Sequence, residues 1–417
     1  MSQKRTYRIL SLVAFTICAT WALPMDGSAK PRPLDRSLPG PASWQHGELT
    51  PRVSRPNTLS RAHILAAELV NSGLAEASLG HDERALELYS RALNIKSDYA
   101  IAYYNRGNIY AKLNYFHRAI IDFDQAILID PLYAQAYSNR GTAYGALRIY
   151  RRAIKNFTSA LMLEPSSDVY YNRAYALDLL GDYEAAIADY SQAISLNTAH
   201  ITALFNRGHL LNGLGQHTRA IEDFTNVITQ DTGHAGAYYN RGLGNRWLKK
   251  YAAAIEDFSS VLTIKFDDED ALYNRGYTFD LMGQHAKAIE DYTTLIDLVP
   301  DHATAYYNRA NAHYRMGAFS RAIKDYTAAL DLNPKDANAL NNRGLTYEAL
   351  GLLNHAIEDF SLAIEIDPSL GFAFGNRGSA YEAKGEFTRA IADWKEQYKL
   401  GNRPNWLIEA LERYGAL

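Results

Sequence analysis

Three observations predict an all-α solenoid for this 417-residue chain. Nine Asn-Arg dipeptides, Asn105-Arg106 to Asn376-Arg377, keep a near-constant 34-residue spacing, each interval holds two runs of helical periodicity, and the intervals follow one another without a gap. A hydrophobic share of 47% with 12% aromatic residues suits a chain folded for most of its length, as two or three globular domains or one elongated array. The gapless repeats decide for the array. Net charge is −3 and the pI about 6.5, which sets nucleic acid aside as a partner, because such domains carry a basic surplus.

The first element is residues 1–29. "MSQKRTYRILSLVAFTICATWAL" has a basic start, an apolar run from Ile9 to Leu23, and small residues at 27–29. It reads as a secretory signal peptide, cut after Ala29 or near Ala22, which places the mature chain in the periplasm or outside the cell. The run is short against the roughly 20 residues of a membrane span. The alternative is an uncleaved anchor over residues 9–23 facing the envelope, so that export or this anchor is the expected membrane contact. Cys18, the one cysteine, lies inside the run, which leaves the mature chain without a disulfide or thiolate metal site.

Residues 30–65 follow, with six prolines and little apolar periodicity. This stretch is expected to be a disordered linker, with contact to anionic lipid or a partner as the alternative reading. It is basic: residues 1–29 carry +2 and residues 30–64 carry +4, leaving about −9 for residues 65–417.

Ten units then fill residues 66–404: 66–99, 100–133, 134–166, 167–200, 201–234, 235–268, 269–302, 303–336, 337–370 and 371–404. Each predicts two antiparallel helices. Position 20 is Ala throughout, from Ala85 to Ala390, as needed where two helix backbones cross closely. Position 24 is aromatic throughout, from Tyr89 to Trp394, and position 8 is Gly or Ala, leaving room for that ring. Prolines such as Pro131, Pro300 and Pro368 end second helices. The last stretch, 405–417, is amphipathic and reads as a helix covering the end of the array.

These columns resemble the tetratricopeptide repeat, a 34-residue helix-turn-helix with small residues at positions 8 and 20, an aromatic at 24 and often Pro at 32. The Asn-Arg-Gly form recurs over about four-fifths of the chain. The resemblance implies a right-handed α-solenoid whose first helices line a concave groove that binds a protein or peptide. Departures are local: Thr198, Thr232 and Phe266 stand for Pro, Asn245 and His313 for an aromatic, and the first unit lacks the Arg. A less regular middle is expected from them.

Position 7 holds Arg where the family usually places an aliphatic residue. A buried guanidinium needs a carboxylate, and position 23 supplies one. The expected interhelical pairs are Arg106 with Asp122, Arg173 with Asp189, Arg207 with Asp223, Arg241 with Asp257, Arg275 with Asp291, Arg309 with Asp325, Arg343 with Asp359 and Arg377 with Asp393. Arg140 meets Asn156 instead, and the first unit loses both partners, with Ser72 and Leu88. A phosphate-binding Arg ladder is the competing reading.

Position 6 is Asn in every unit. Asn105, Asn139, Asn172, Asn206, Asn240, Asn274, Asn308 and Asn342 are candidate peptide-binding residues, because one amide both donates and accepts. Capping of neighbouring backbone is the alternative. Tyr104, Tyr171, Phe205, Tyr239, Tyr273 and Tyr307 at position 5 are assigned to the same face, with Tyr175, Tyr277, Asp178, Asp280, Arg246 and Trp247 further along it. No catalytic motif emerges: the twelve histidines are scattered, and His217 and His285 share a column two units apart, too far for one metal. The expectation is a non-catalytic scaffold with no metal and no cofactor, exported and peptide-binding. A glycan or cell-wall recognition subunit is the alternative, and an enzyme accessory role a third.

Overall fold

The computed structural model describes residues 61–417; the expected signal peptide, Cys18 and nearly all of the linker lie outside the described residues. Twenty-one helices follow one another without a strand among the described residues. The first, Arg61–Ser78, starts before the first repeat column at residue 66, because "RAHIL" continues the same helical stripe upstream.

Every unit is a first helix, usually 13 residues, a tight turn, and a second helix, usually 14, such as Ala100–Lys112 with Phe116–Ile129. The middle is as regular as the rest: Ile201–Gly213, His217–Gln230, Ala235–Trp247 and Tyr251–Ile264 keep the same lengths despite the missing prolines. Extended backbone at Asp231 and Lys265 ends those second helices, as it does at Asp130 and Glu164 where Pro131 and Pro165 follow.

The small-residue columns work by contact. A Cβ on Gly107 would stand 2.8 Å from the Phe123 ring, so the ring enters only because the glycine is bare. Phe123, Tyr190, Phe224, Phe258, Tyr292, Tyr326 and Phe360 are fully buried, as are the position-20 alanines. At the far end, helix Asn405–Arg413 buries Leu407, Ala410 and Leu411 on Trp394 and Ala390. Such covering is needed where a solenoid's last apolar face has no next repeat.

Each helix packs on its neighbours in sequence, and first helices of successive units also touch one another. No successive second helices approach to the same degree. The array therefore bends with first helices on the inner, concave side and second helices on the outer side.

Candidate functional site: the inner face

The repeated Arg is placed by two elements of its own unit and one of the unit before. In eight units its Nε and Nη2 donate to the position-23 carboxylate at 2.6–3.2 Å: Arg106–Asp122, Arg173–Asp189, Arg207–Asp223, Arg241–Asp257, Arg275–Asp291, Arg309–Asp325, Arg343–Asp359 and Arg377–Asp393. The fork is intact within each unit. Nη1 reaches back to position 25 of the preceding unit, at Ser90, Thr158, Ser191, Thr225, Ser259, Thr293, Thr327 and Ser361, at 2.9–3.2 Å. One side chain thus fastens two helices of its own repeat and one of its neighbour.

Arg140 shows how strictly the charge is kept. Its position-23 partner is Asn156, which accepts from Nε at 2.7 Å, while the column-25 residue before it is Asp124, which pairs with Nη1. The carboxylate has moved from one corner of the clamp to the other. Several guanidiniums also lie over the ring at position 4, as Arg241 does over Tyr238 at 5.5 Å. Burial holds the Asp122, Asp257 and Asp291 carboxyls above the ordinary carboxylate range, against the pull of their arginines. Desolvation is the larger effect at these three carboxyls, whereas at Arg106 the hydrogen bond to Asp122 outweighs it and raises the guanidinium's pKa.

Six of the eight candidate position-6 amides are already engaged within the array, which corrects the expectation that this column is what is left over for a partner. Asn139 donates to Tyr104, Asn206 to Tyr171, Asn274 to Tyr239, Asn308 to Tyr273 and Asn342 to Tyr307, each to the position-5 hydroxyl of the preceding unit at 3.0–3.4 Å. A buried phenol requires a hydrogen-bond partner, and the amide opposite supplies it. Where position 5 offers no phenol the bond changes: Asn240, behind Phe205, donates to the Gly236 carbonyl, and Asn376 donates to Asn341. Asn172, behind Ser138, and Asn105, behind Val70, make no such bond among the described residues.

The position-5 rings are correspondingly sunk. Tyr104, Tyr171, Phe205 and Tyr239 are buried, Tyr273 and Tyr307 half-buried, each over its own position-24 ring at 5.8–6.2 Å. Columns 5 and 6 are a seam between repeats rather than the groove surface.

A second set of side chains gathers one to two turns further along the first helices and at the start of the second helices. Arg246 donates to the side-chain Oδ1 of Asn274 at 2.8 Å and lies 5.3 Å over the Tyr277 ring. Burial lowers its pKa from the usual guanidinium value. Trp247, 51% exposed, stacks parallel on His217 at 5.9 Å. The His217 ring shares a hydrogen bond with Asn212 at 3.0 Å, and burial lowers its pKa. Asp280 accepts from Arg315 at 2.6 Å and shares a 2.6 Å hydrogen bond with His285. Tyr277 stacks on Tyr273 and Tyr175 on Tyr171, at 6.4 Å each.

Glu348 holds the same place two repeats beyond Arg315's partner. It has no hydrogen-bond or ion-pair partner among the described residues, and burial pushes its carboxyl up to about 7. Arg315, His217, His285 and Glu348 were not singled out for this face by sequence. The signal that could have found them is departure from the column majority at positions 12, 13 and 17 of the repeat. No group of three His, Cys, Asp or Glu among the described residues could hold a metal ion, and no described helix is long and apolar enough to cross a membrane.

Models of the tetratricopeptide repeat match residues 73–133, 167–198, 201–234 and 281–370, a little over half of the chain. The chain is a tetratricopeptide-repeat protein. The repeat builds protein-interaction scaffolds, typically without catalysis of their own. Among curated proteins none matches it. Similar solved structures include YrrB, described as a tetratricopeptide-repeat protein with an unusual peptide-binding site, at 29% identity over 44% of this chain and 95% of that one, TM-score 0.42. The C-terminal part of a repeat protein from Cytophaga hutchinsonii is 19% identical over 57% of this chain and 98% of that one, TM-score 0.49. Yeast Tom70 is 14% identical over 84% and 95%, TM-score 0.39.

Proposed function

We propose that this chain is an exported scaffold that holds an extended protein segment against the inner face of repeats 5–8. The observation that carries the reading is the run of side chains there that packing does not require. Trp247 stands half out of the surface beside Arg246 over Tyr277, and the Arg315–Asp280–His285 cluster follows in the next two repeats. Flat rings give an extended chain apolar contact at small entropy cost, and fixed charges of both signs set its register. Glu348 beyond them suits a lysine or arginine of the bound segment, whose charge would draw that carboxyl into its ionised form.

Export is part of the same proposal and rests on residues 1–29 alone. A reporter enzyme fused after residue 40 is expected on the far side of the membrane, and its retention in the cytoplasm overturns this part.

The groove is tested with a photo-reactive side chain at Trp247 and another at Glu222 on an outer helix. Irradiation in an envelope extract is expected to join the first to one recurring peptide and the second to none. Equal labelling at both positions, or carbohydrate at the first, overturns the peptide reading.

A further inference from the structure

The outer surface of repeats 2 and 3 departs from the rest of the array in two ways at once. Position 29, near the end of each second helix, is polar or charged in eight repeats and apolar only here, as Leu128 and Met162, which are 74% and 83% exposed. Position 22 is charged or Ala elsewhere but Ile121 in repeat 2, and Leu132 follows in the turn; both are exposed. Ile121 and Leu128 are seven residues apart and so share one outward stripe of their helix.

The opposite end of the same surface is cationic. Repeat 3 carries Arg140, Arg148, Arg151, Arg152 and Lys155 against Glu164 alone, the largest positive surplus of any repeat. Arg140 is used in the clamp, but Arg148, Arg151, Arg152 and Lys155 are all exposed and have no acidic partner among the described residues. Arg148 also sits at φ 59, in the turn position where seven other repeats place a glycine. A basic side chain is kept there despite the steric cost of that backbone.

The geometry points to the outer face of repeats 2 and 3 as a docking surface for an anionic lipid membrane. Four apolar side chains that protrude singly form no pocket for a protein knob, whereas a lipid interface accepts them without matching shape. Unneutralised Arg and Lys beside them suit lipid phosphates, and each such cation contributes to binding within a Debye length of the surface. In the sequence the patch follows the basic stretch of residues 30–64. This leaves the groove, on the other side of the array, open to its own partner.

The test uses the full chain with Cys18→Ser and a polarity-sensitive dye on either Met162→Cys or Asp297→Cys, the matching position of repeat 7. Vesicles are phosphatidylglycerol with phosphatidylcholine, or phosphatidylcholine alone. The dye at 162 is expected to shift to the blue with the anionic vesicles only, and the dye at 297 with neither. Arg151→Ser with Lys155→Ser, both exposed, should weaken the response at 162 ten-fold or more. A shift at both positions or at neither, or one indifferent to lipid charge, overturns the proposal, because the N-terminal segment alone would then explain any binding. So does a shift at 162 that needs an envelope protein fraction and no lipid.

Discussion

A guanidinium half-buried between two helices is expensive, and the chain answers with a carboxylate fork and a hydroxyl at eight clamps and with Asn156 and Asp124 at the ninth, Arg140. Arg241→Leu strands the Asp257 carboxylate and is expected to cost about 3–5 kcal/mol in denaturant melts, while Arg241→Leu with Asp257→Leu should recover most of it. Additive losses would rule the coupling out. Asp124→Ser should destabilise repeat 3, and a further Asn156→Asp should restore it by returning the charge to its usual corner. The Asn column behaves in the same way: Asn274→Ala removes the donor to Tyr239 and is expected to cost about 1–2 kcal/mol, measured by the same melts. Glu348 gives a pH signature. Its folded pKa is raised, so the native chain keeps a proton that the unfolded chain has released, and stability falls as pH rises from about 4.5 to about 7. Glu348→Gln should add about 1–3 kcal/mol at pH 8 and nothing at pH 4. The Arg–Asp pairing was legible because both columns change together in the first repeat. The fate of the Asn was not, since an amide reads alike whether it meets a peptide or the phenol of the preceding repeat. The column-25 hydroxyls were legible but passed over: nothing in a helix's own periodicity asks what a neighbouring repeat's Arg will reach.

At the scale of the element, each helix is set by columns rather than by propensity. The Ala crossing and the ring entering over Gly or Ala fix the hairpin, and a glycine at positive φ closes most first-to-second turns. Asn114, Arg148 and Lys249 hold the same backbone without glycine. Arg148→Gly is therefore expected to raise stability by about 0.5–1 kcal/mol, read as a higher melting temperature, and a loss would show that this side chain supports the fold. Helix boundaries inside the array followed from the 34-residue register. The start of the first helix did not, because residues 61–65 precede any column. Nor did the loss of Pro disturb the middle: second helices end on extended backbone with Pro, as at Asp130, and without it, as at Asp231 and Lys265, so the stop does not depend on the ring.

Over the whole molecule, neighbour-to-neighbour packing makes the array long, curved and two-faced. The inner face offers rings and paired charges in repeats 5–8, and the outer face offers its apolar and cationic patch only in repeats 2 and 3. Sequence reading placed Arg246, Trp247, Tyr277 and Asp280 on the inner side, since helical spacing from the packed columns leaves them one turn beyond. It also counted columns 5 and 6 as groove, because one residue's rotation about a first helix separates the seam from the surface. The central claim is that the groove reads its partner through the outer of these columns. It is tested by titrating the cross-linked segment, made as a peptide, against Arg246→Ala with Trp247→Ala and Tyr277→Ala. The account predicts binding weaker by 100-fold or more with unchanged helical content; full affinity in this variant would contradict it.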